Sequence, residues 1–102
     1  MITQVSCGFK HVVVRSMNGK IFTWGWGERG QLGHGNNKNL PFPKKVIFPI
    51  PSYSCSLVQA GYRSSYALIE GRKIYWWGSN GHISKQESPV EYLNEENVFF
   101  YI

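Results

Sequence analysis

Three histidines, two cysteines and six glutamates are the residues of this 102-residue sequence best equipped for chemistry, and their spacing limits what that chemistry can be. His11, His34 and His82 together with Cys7 and Cys55 are the candidate zinc ligands, yet their intervals reproduce none of the usual ligand pairs. The sequence contains no Asp, which excludes an Asp-based triad or dyad within the chain. Glu87, Glu91, Glu95 and Glu96 crowd toward the C-terminus, where solvation accounts for them. Gly25, Gly27 and Gly30 spell G-x-G-x-x-G, but no helical pattern follows and Pro41 and Pro43 come soon after, so a phosphate cradle is not expected. Four tryptophans could stack bases. Packing accounts better for Trp24 and Trp77, whereas Trp26 and Trp76 fall in a loop or on the alternate strand face and are free to act as contacts. We therefore expect no catalytic, metal or cofactor-binding residues, and a non-enzymatic chain.

The elements that must position these residues are strands. A hydrophobic fraction of 42% in 102 residues allows one small domain with a core. An aromatic content of 16%, eleven glycines and short apolar runs indicate an all-β chain with tight turns. The net charge is +5 and unevenly placed: residues 1–50 carry seven bases against Glu28 alone, and the sign reverses after Lys85. A basic half can meet nucleic acid, an acidic partner or an anionic surface, or can simply be solvated. Cys7 and Cys55 form no redox or metal motif. No segment has the length of a signal peptide's apolar region or of a membrane span, which makes a cytoplasmic or nuclear setting the default.

An internal repeat organises the chain. Laying residues 58–78 on residues 5–25 aligns Val5 with Val58, Gly8 with Gly61, Lys20 with Lys73, Ile21 with Ile74, Trp24 with Trp77 and Gly25 with Gly78. These identities exceed the roughly one or two expected of unrelated segments, and Phe9/Tyr62, Lys10/Arg63 and Phe22/Tyr75 extend the match. Each copy reads as a short strand closed by glycine, then a hairpin. In the first copy the hairpin turns at Asn18-Gly19, a type I′ signal, and in the second at Glu70-Gly71. Weaker strands are predicted at residues 45–48 and 89–92. The Gly-, Asn- and Pro-rich stretch 26–44 is predicted to be loop for most of its length, bending sharply around Leu32.

Cys7-Gly8 with His11, then Asn18-Gly19, Trp24-Gly25, and Gly30-Gln31-Leu32-Gly33-His34-Gly35 with Pro43 and Val46, resembles the regulator of chromosome condensation repeat along its length. The second copy is similar at Gly61, Leu68, Trp77, Gly78 and Asn80, but Ser64 stands where His is usual and Gly-Gln-Leu-Gly is missing. The resemblance implies a partial β-propeller of about two four-stranded antiparallel blades with a glycine-rich inter-strand loop. Residues 1–52 form the first repeat, 53–97 the second, divergent one, and 98–102 begin a truncated third. It also implies a structural role for His11, bonded to a neighbouring blade's backbone, and a requirement for further blades, in cis or from another chain, to complete the ring.

The function this reading favours is a protein-interaction module, since propeller rims offer rigid, wide surfaces. Trp26, Arg29, His34 and Trp76 are the candidate partner contacts. As an alternative, the resemblance implies part of a nucleotide exchange factor for a small, Ran-like GTPase with chromatin association. A nucleic-acid surface is the third reading, and requires Lys10, Arg15, Lys20, Lys38, Lys44 and Lys45 to converge on one face.

Overall fold

The computed structural model describes residues 1–79 and 85–92. Asn80, His82 and residues 98–102 lie outside them. Among the described residues eight strands form two meanders: β1 (Ile2–Cys7), β2 (His11–Ser16), β3 (Ile21–Gly25) and β4 (Leu40–Lys45) in one sheet, β5 (Cys55–Ala60), β6 (Ser64–Ile69), β7 (Lys73–Gly78) and β8 (Gln86–Glu91) in the other. All neighbours are antiparallel and consecutive in sequence. The chain is all-β, with two four-stranded blades packed face to face.

Strand alternation decides what the blades bury. In the first sheet His11, Val13, Ile21 and Thr23 point toward the second and are all closed off from solvent. They meet Val58, Ser65, Ala67, Ile69, Tyr75 and Trp77, which are buried on the facing side of the second sheet. The opposite side of the first sheet is uncovered: Val14, Phe22 and Trp24 line an open groove with Met1, Ile2 and Pro43. The repeat makes Ala67, Tyr75 and Trp77 the counterparts of those three residues. Trp24 and Trp77 thus occupy equivalent places, one half-buried beside the groove and one fully enclosed.

At their first strands the sheets meet directly, β1 and β2 both lying against β5. Here side chains of one blade satisfy the backbone edge of the other. The Gln4 amide oxygen accepts from the Val58 N–H at 3.0 Å and its nitrogen donates to the Ser56 carbonyl at 2.9 Å. The Ser6 hydroxyl accepts from the Ala60 N–H at 2.8 Å. An edge strand that would otherwise present open donors is closed without adding a strand.

Farther along, the later strands are bridged by inserted chain. Residues predicted as the strand 45–48 leave the sheet after Lys45, and Val46 and Phe48 drop into the gap between blades. Phe48 stands edge-on to Tyr75 and Trp77, with ring centroids 5.3 and 5.7 Å away. The strand itself begins at Leu40. Pro41 and Pro43 do not break it, because β4 is an edge strand and a bulge opposite Trp24 absorbs residues that cannot donate. The last strand likewise runs from Gln86 to Glu91 rather than over 89–92, with Pro89 accommodated at an edge.

The two hairpin turns differ in type. At Asn18-Gly19 only Gly19 has a positive φ, and the bonds from Gly19 N–H to the Ser16 carbonyl and from Ser16 N–H to the Lys20 carbonyl make a type I turn with a glycine bulge, not the predicted type I′ turn. The Ser16 hydroxyl, held by the Asn18 side chain, selects this form. The type I′ signature falls instead on Glu70-Gly71, with φ of 55° and 70°.

Gly33 and Gly71 test how far the glycine loop depends on space rather than on backbone conformation. Both have positive φ. A Cβ on Gly33 would lie 2.9 Å from the Trp77 indole, whereas one on Gly71 meets nothing closer than 3.9 Å. Gly71→Ala is expected to cost about 1 kcal/mol from left-handed strain. Gly33→Ala is expected to cost about 1–3 kcal/mol more, from displacement of the buried ring. Urea unfolding followed by tryptophan fluorescence measures both, and equal losses would show that Trp77 yields freely.

Candidate functional site

In each meander, alternate connections fall at the same end of the sheets. One end therefore gathers the β1–β2 turn, the β3–β4 loop, the β5–β6 turn and, from between β7 and β8, the described residues Ser79 and Lys85. The two short turns are docked to each other by a bond from Phe9 N–H to the Tyr62 carbonyl at 3.1 Å. Trp26 is tied to the first turn by a bond from its N–H to the Lys10 carbonyl at 2.9 Å. The repeat-equivalent bond runs from Ser79 N–H to the Arg63 carbonyl. Close approach at this point needs glycine, since a Cβ on Gly25 or Gly78 would strike the Lys10 or Arg63 carbonyl at 2.6 or 2.5 Å.

These bonds line up a row of side chains across both blades. Lys10 Nζ sits 4.0 Å from the centroid of the Trp26 ring and 5.2 Å from that of Phe9. Phe9 stacks on Tyr62 with centroids 4.5 Å apart and an interplanar angle of 19°. The Arg63 guanidinium lies 5.3 Å from the Tyr62 ring centre. The three rings are nevertheless exposed, Phe9 by 53%, Tyr62 by 61% and Trp26 by 42%, so the row is an organised surface and not a part of the core.

The other candidate contacts lie elsewhere. Arg29 is exposed in the glycine loop. Trp76 is half-buried on the far side of β7, facing away from the first blade. His34 is half-buried and engaged: its Nε2 lies 2.9 Å from the Thr23 hydroxyl, which donates to the Leu32 carbonyl at 2.6 Å. The bases of the first half do not converge. Arg15 donates to the Cys55 carbonyl, Lys20 to the Tyr53 carbonyl at the opposite end, and Lys44 and Lys45 lie on β4. In the sequence Phe9, Tyr62 and Arg63 stand out only as matching pairs, and Lys10 also as one base of the nucleic-acid reading. The signal that marks them as surface is their place immediately after the strand-closing glycines Gly8 and Gly61.

Of the repeat-motif residues, His11, Gln31, Leu32, Gly33 and Trp77 sit between the blades, whereas Cys7 is exposed and Asn18 and Trp24 line the groove on the other side of the first sheet. His11 Nε2 faces both the Ser64 carbonyl and the Ser65 hydroxyl at 3.0 Å, and Ser65 donates onward to the Gln31 carbonyl at 2.7 Å. A carbonyl partner requires the proton on Nε2 and leaves Nδ1, against Gly8, as a buried acceptor with no partner among the described residues. Leu32 and Gln31 are buried, and Gly33 lies against Trp77. Cys7 is exposed and Cys55 buried, both as free thiols. Burial pushes the Cys55 thiol up to about 11, which makes it a poor nucleophile. Among the described residues no three His, Cys, Asp or Glu side chains gather to hold a metal. No helix there is long and apolar enough to cross a membrane.

The pattern described as the regulator of chromosome condensation (RCC1) repeat matches residues 18–68, and a second form of the same repeat matches residues 2–31. The chain belongs to the RCC1 repeat family. It is 34% identical to human Protein RCC2 over 80 residues, which covers 78% of this chain and 15% of RCC2. It is also 34% identical to the Ultraviolet-B receptor UVR8 of Arabidopsis thaliana over 97 residues, covering 88% of this chain and 22% of that protein. Among solved structures, human WBSCR16 superposes with a TM-score of 0.84 at 20% identity, covering 94% of this chain and 26% of that one. Prp20p of Saccharomyces cerevisiae superposes with a TM-score of 0.77 at 21% identity and the same coverages. The chain thus spans about a quarter or less of the RCC1-like proteins it matches, and its two sheets are blades of a partial propeller.

In this RCC1 repeat pair the interblade histidine predicts a pH dependence. Burial holds His11 below the ordinary imidazole value of 6.5, against a smaller opposing pull from the Ser64 carbonyl. His34 is lowered by burial and then by Lys44. The unfolded chain therefore takes up protons before the folded one does. Stability should be undiminished above 6.5 and fall as the pH drops below it toward the lowered folded values. Denaturant midpoints are expected to decline between about pH 7.5 and about pH 5, with a shallower decline in His11→Gln. A slope unchanged by that substitution would place the sensitivity elsewhere.

Proposed function

We propose that this chain is part of a non-catalytic protein-interaction module, a two-blade piece of an RCC1-like propeller that presents its turn end to a protein partner. The observation that carries this reading is the row Trp26, Lys10, Phe9, Tyr62 and Arg63. Three exposed rings and two cations are held in register by a backbone bond between the blades, Phe9 to Tyr62, and one within the first blade, Trp26 to Lys10. Such rigid, amphipathic side chains contribute most to interface affinity for the least ordering cost. Trp26, one of the contacts expected from the sequence, belongs to this row, and Arg29 lies in the loop that leaves it.

The uncovered side of the first sheet supports the need for further blades. Val14, Phe22 and Trp24 repeat the pattern that Ala67, Tyr75 and Trp77 bury beneath the first blade, so a preceding blade of the same kind would fit there. Blades supplied in cis or by another chain would complete the ring. Exchange activity on a Ran-like GTPase is the second reading. It is supported by the fold shared with Prp20p, a protein with binding properties toward Gsp1p and histones. A nuclear, chromatin-associated role would accompany it.

A titration with a Gsp1p-like GTPase and with core histones distinguishes these readings. The module reading expects a protein complex weakened about tenfold by the pair Trp26→Ala and Tyr62→Ala, as for contacts at an interface centre, with no change in the rate of labelled GDP release. Faster release of GDP would establish the exchange reading. A complex indifferent to both substitutions would remove the row from the interface.

A further inference from the structure

We propose that the turn end of the two blades receives an acidic, carboxylate-rich segment of a partner protein, seated along the Lys10 and Arg63 cations on their aromatic platform. The proposal rests on the interaction-module reading and names the chemistry of its partner.

Charge placement is the first argument. The described residues of the connections at this end carry the exposed Lys10, Arg29, Lys38, Arg63 and Lys85 against Glu28, with Glu87 beside them at the start of β8, where its carbonyl accepts from the Gly35 N–H. The connections at the opposite end carry Lys20 and Arg72 against Glu70, and Lys20 is already committed to the Tyr53 carbonyl at 2.7 Å and to its ring. The positive excess of the chain is therefore concentrated on one end of the fold by the meander topology itself. A concave or flat surface with such an excess draws in and orients segments of opposite sign.

The second argument concerns what lies under the charges. Lys10 is spread over Trp26 and Phe9, and Arg63 lies against Tyr62. A cation resting on a ring is partly desolvated and positioned, yet keeps N–H donors for a carboxylate. Neighbouring apolar side chains of the same segment would cover the exposed ring edges. The same packing disfavours a nucleic acid strand. Phe9 and Tyr62 occupy each other's faces and Lys10 covers a face of Trp26, so the platforms for base stacking are largely taken. The remaining first-half bases Arg15, Lys20, Lys44 and Lys45 lie off this end and cannot extend a track for phosphates.

The test uses the full 102-residue chain and three fluorescent probes of equal length: a Glu/Asp peptide carrying one Leu, the same peptide with Gln/Asn in place of the acids, and oligodeoxythymidylate. The acidic peptide is expected to bind and the neutral one not to. Affinity should fall about fivefold or more in the double variant Lys10→Gln with Arg63→Gln, and fall further as salt is raised. Lys10→Arg should restore binding where Lys10→Gln loses it, and Arg72→Gln at the opposite end should leave it unchanged. Equal binding of acidic and neutral peptides, or an acidic-peptide affinity that Arg72→Gln lowers as much as the rim variant, would overturn the proposal. Tighter binding of the oligonucleotide, lost in the rim variant, would assign the end to nucleic acid instead. If the acidic peptide fails while the protein complex is still weakened by Trp26→Ala and Tyr62→Ala, the interaction module stands and only the partner chemistry falls. If neither binding is seen, both fall.

Discussion

Two twisted sheets stacked face to face leave a gap wherever their strands diverge, and in this fold the Trp77 indole is the side chain around which that gap closes. The sheets touch directly where β1 and β2 meet β5, but β3 and β7 are held apart by inserted chain. Phe48 enters from the linker between blades and Gly33 from the glycine loop, each placed against the Trp77 ring. Gly-Gln-Leu-Gly is explained by this geometry. Leu32 supplies volume, the Gln31 carbonyl takes the Ser65 hydroxyl, and Gly33 leaves room for the indole. His11 completes the seam from the other side through Ser64 and Ser65. Packing near crystal density leaves no slack in such an arrangement, so the spacing of blades is set by side-chain volume.

The exposed end inherits its order from that seam. Once the blades are fixed, the turns after Gly8 and Gly61 are brought side by side and joined by the Phe9 to Tyr62 backbone bond. The backbone that carries the aromatic and basic side chains is thereby tethered to the same blades that form the core. A recognition surface built on short, tethered turns loses little entropy on binding compared with one on a long free loop.

Much of this was legible in sequence. The repeat was visible because its glycines and tryptophans sit where backbone approach and ring volume allow few substitutes. The two hairpins followed from β-branched runs and turn pairs. The errors have physical causes. Pro41 and Pro43 read as breakers because a sequence does not announce that a strand lies at an edge, where a missing donor does no harm. Residues 45–48 read as a strand because Val46 and Phe48 are apolar; that Phe48 ends in the interblade gap depends on the Tyr75 and Trp77 rings of the next blade. Asn18-Gly19 took a bulged turn because the Ser16 hydroxyl captures the Lys20 N–H, a contact that pair statistics do not carry. The proposed partner surface is only partly legible: its loop position makes Trp26 a candidate contact, but Phe9 and Tyr62 become an exposed pair only when two turns remote in sequence are docked.

Repetition at these exposed turns carries information that repetition in the core does not. Trp24 and Trp77 recur because each blade presents the same face for burial, whether or not the covering blade is part of this chain. The demand on Phe9 and Tyr62 is slighter, a single stack across the blades with centroids 4.5 Å apart, and Lys10 and Arg63 are exposed. A turn after a strand-closing glycine forms with almost any polar residue, and more than half of each ring's surface remains open to water. Stacking between blades accounts for the paired aromatics, but not for the base that follows each of them. The base is explained if the end of the propeller must offer the same chemistry at successive angular positions, one unit per blade. A surface built that way lengthens with the number of blades, and a pair of blades would carry two units of a longer strip.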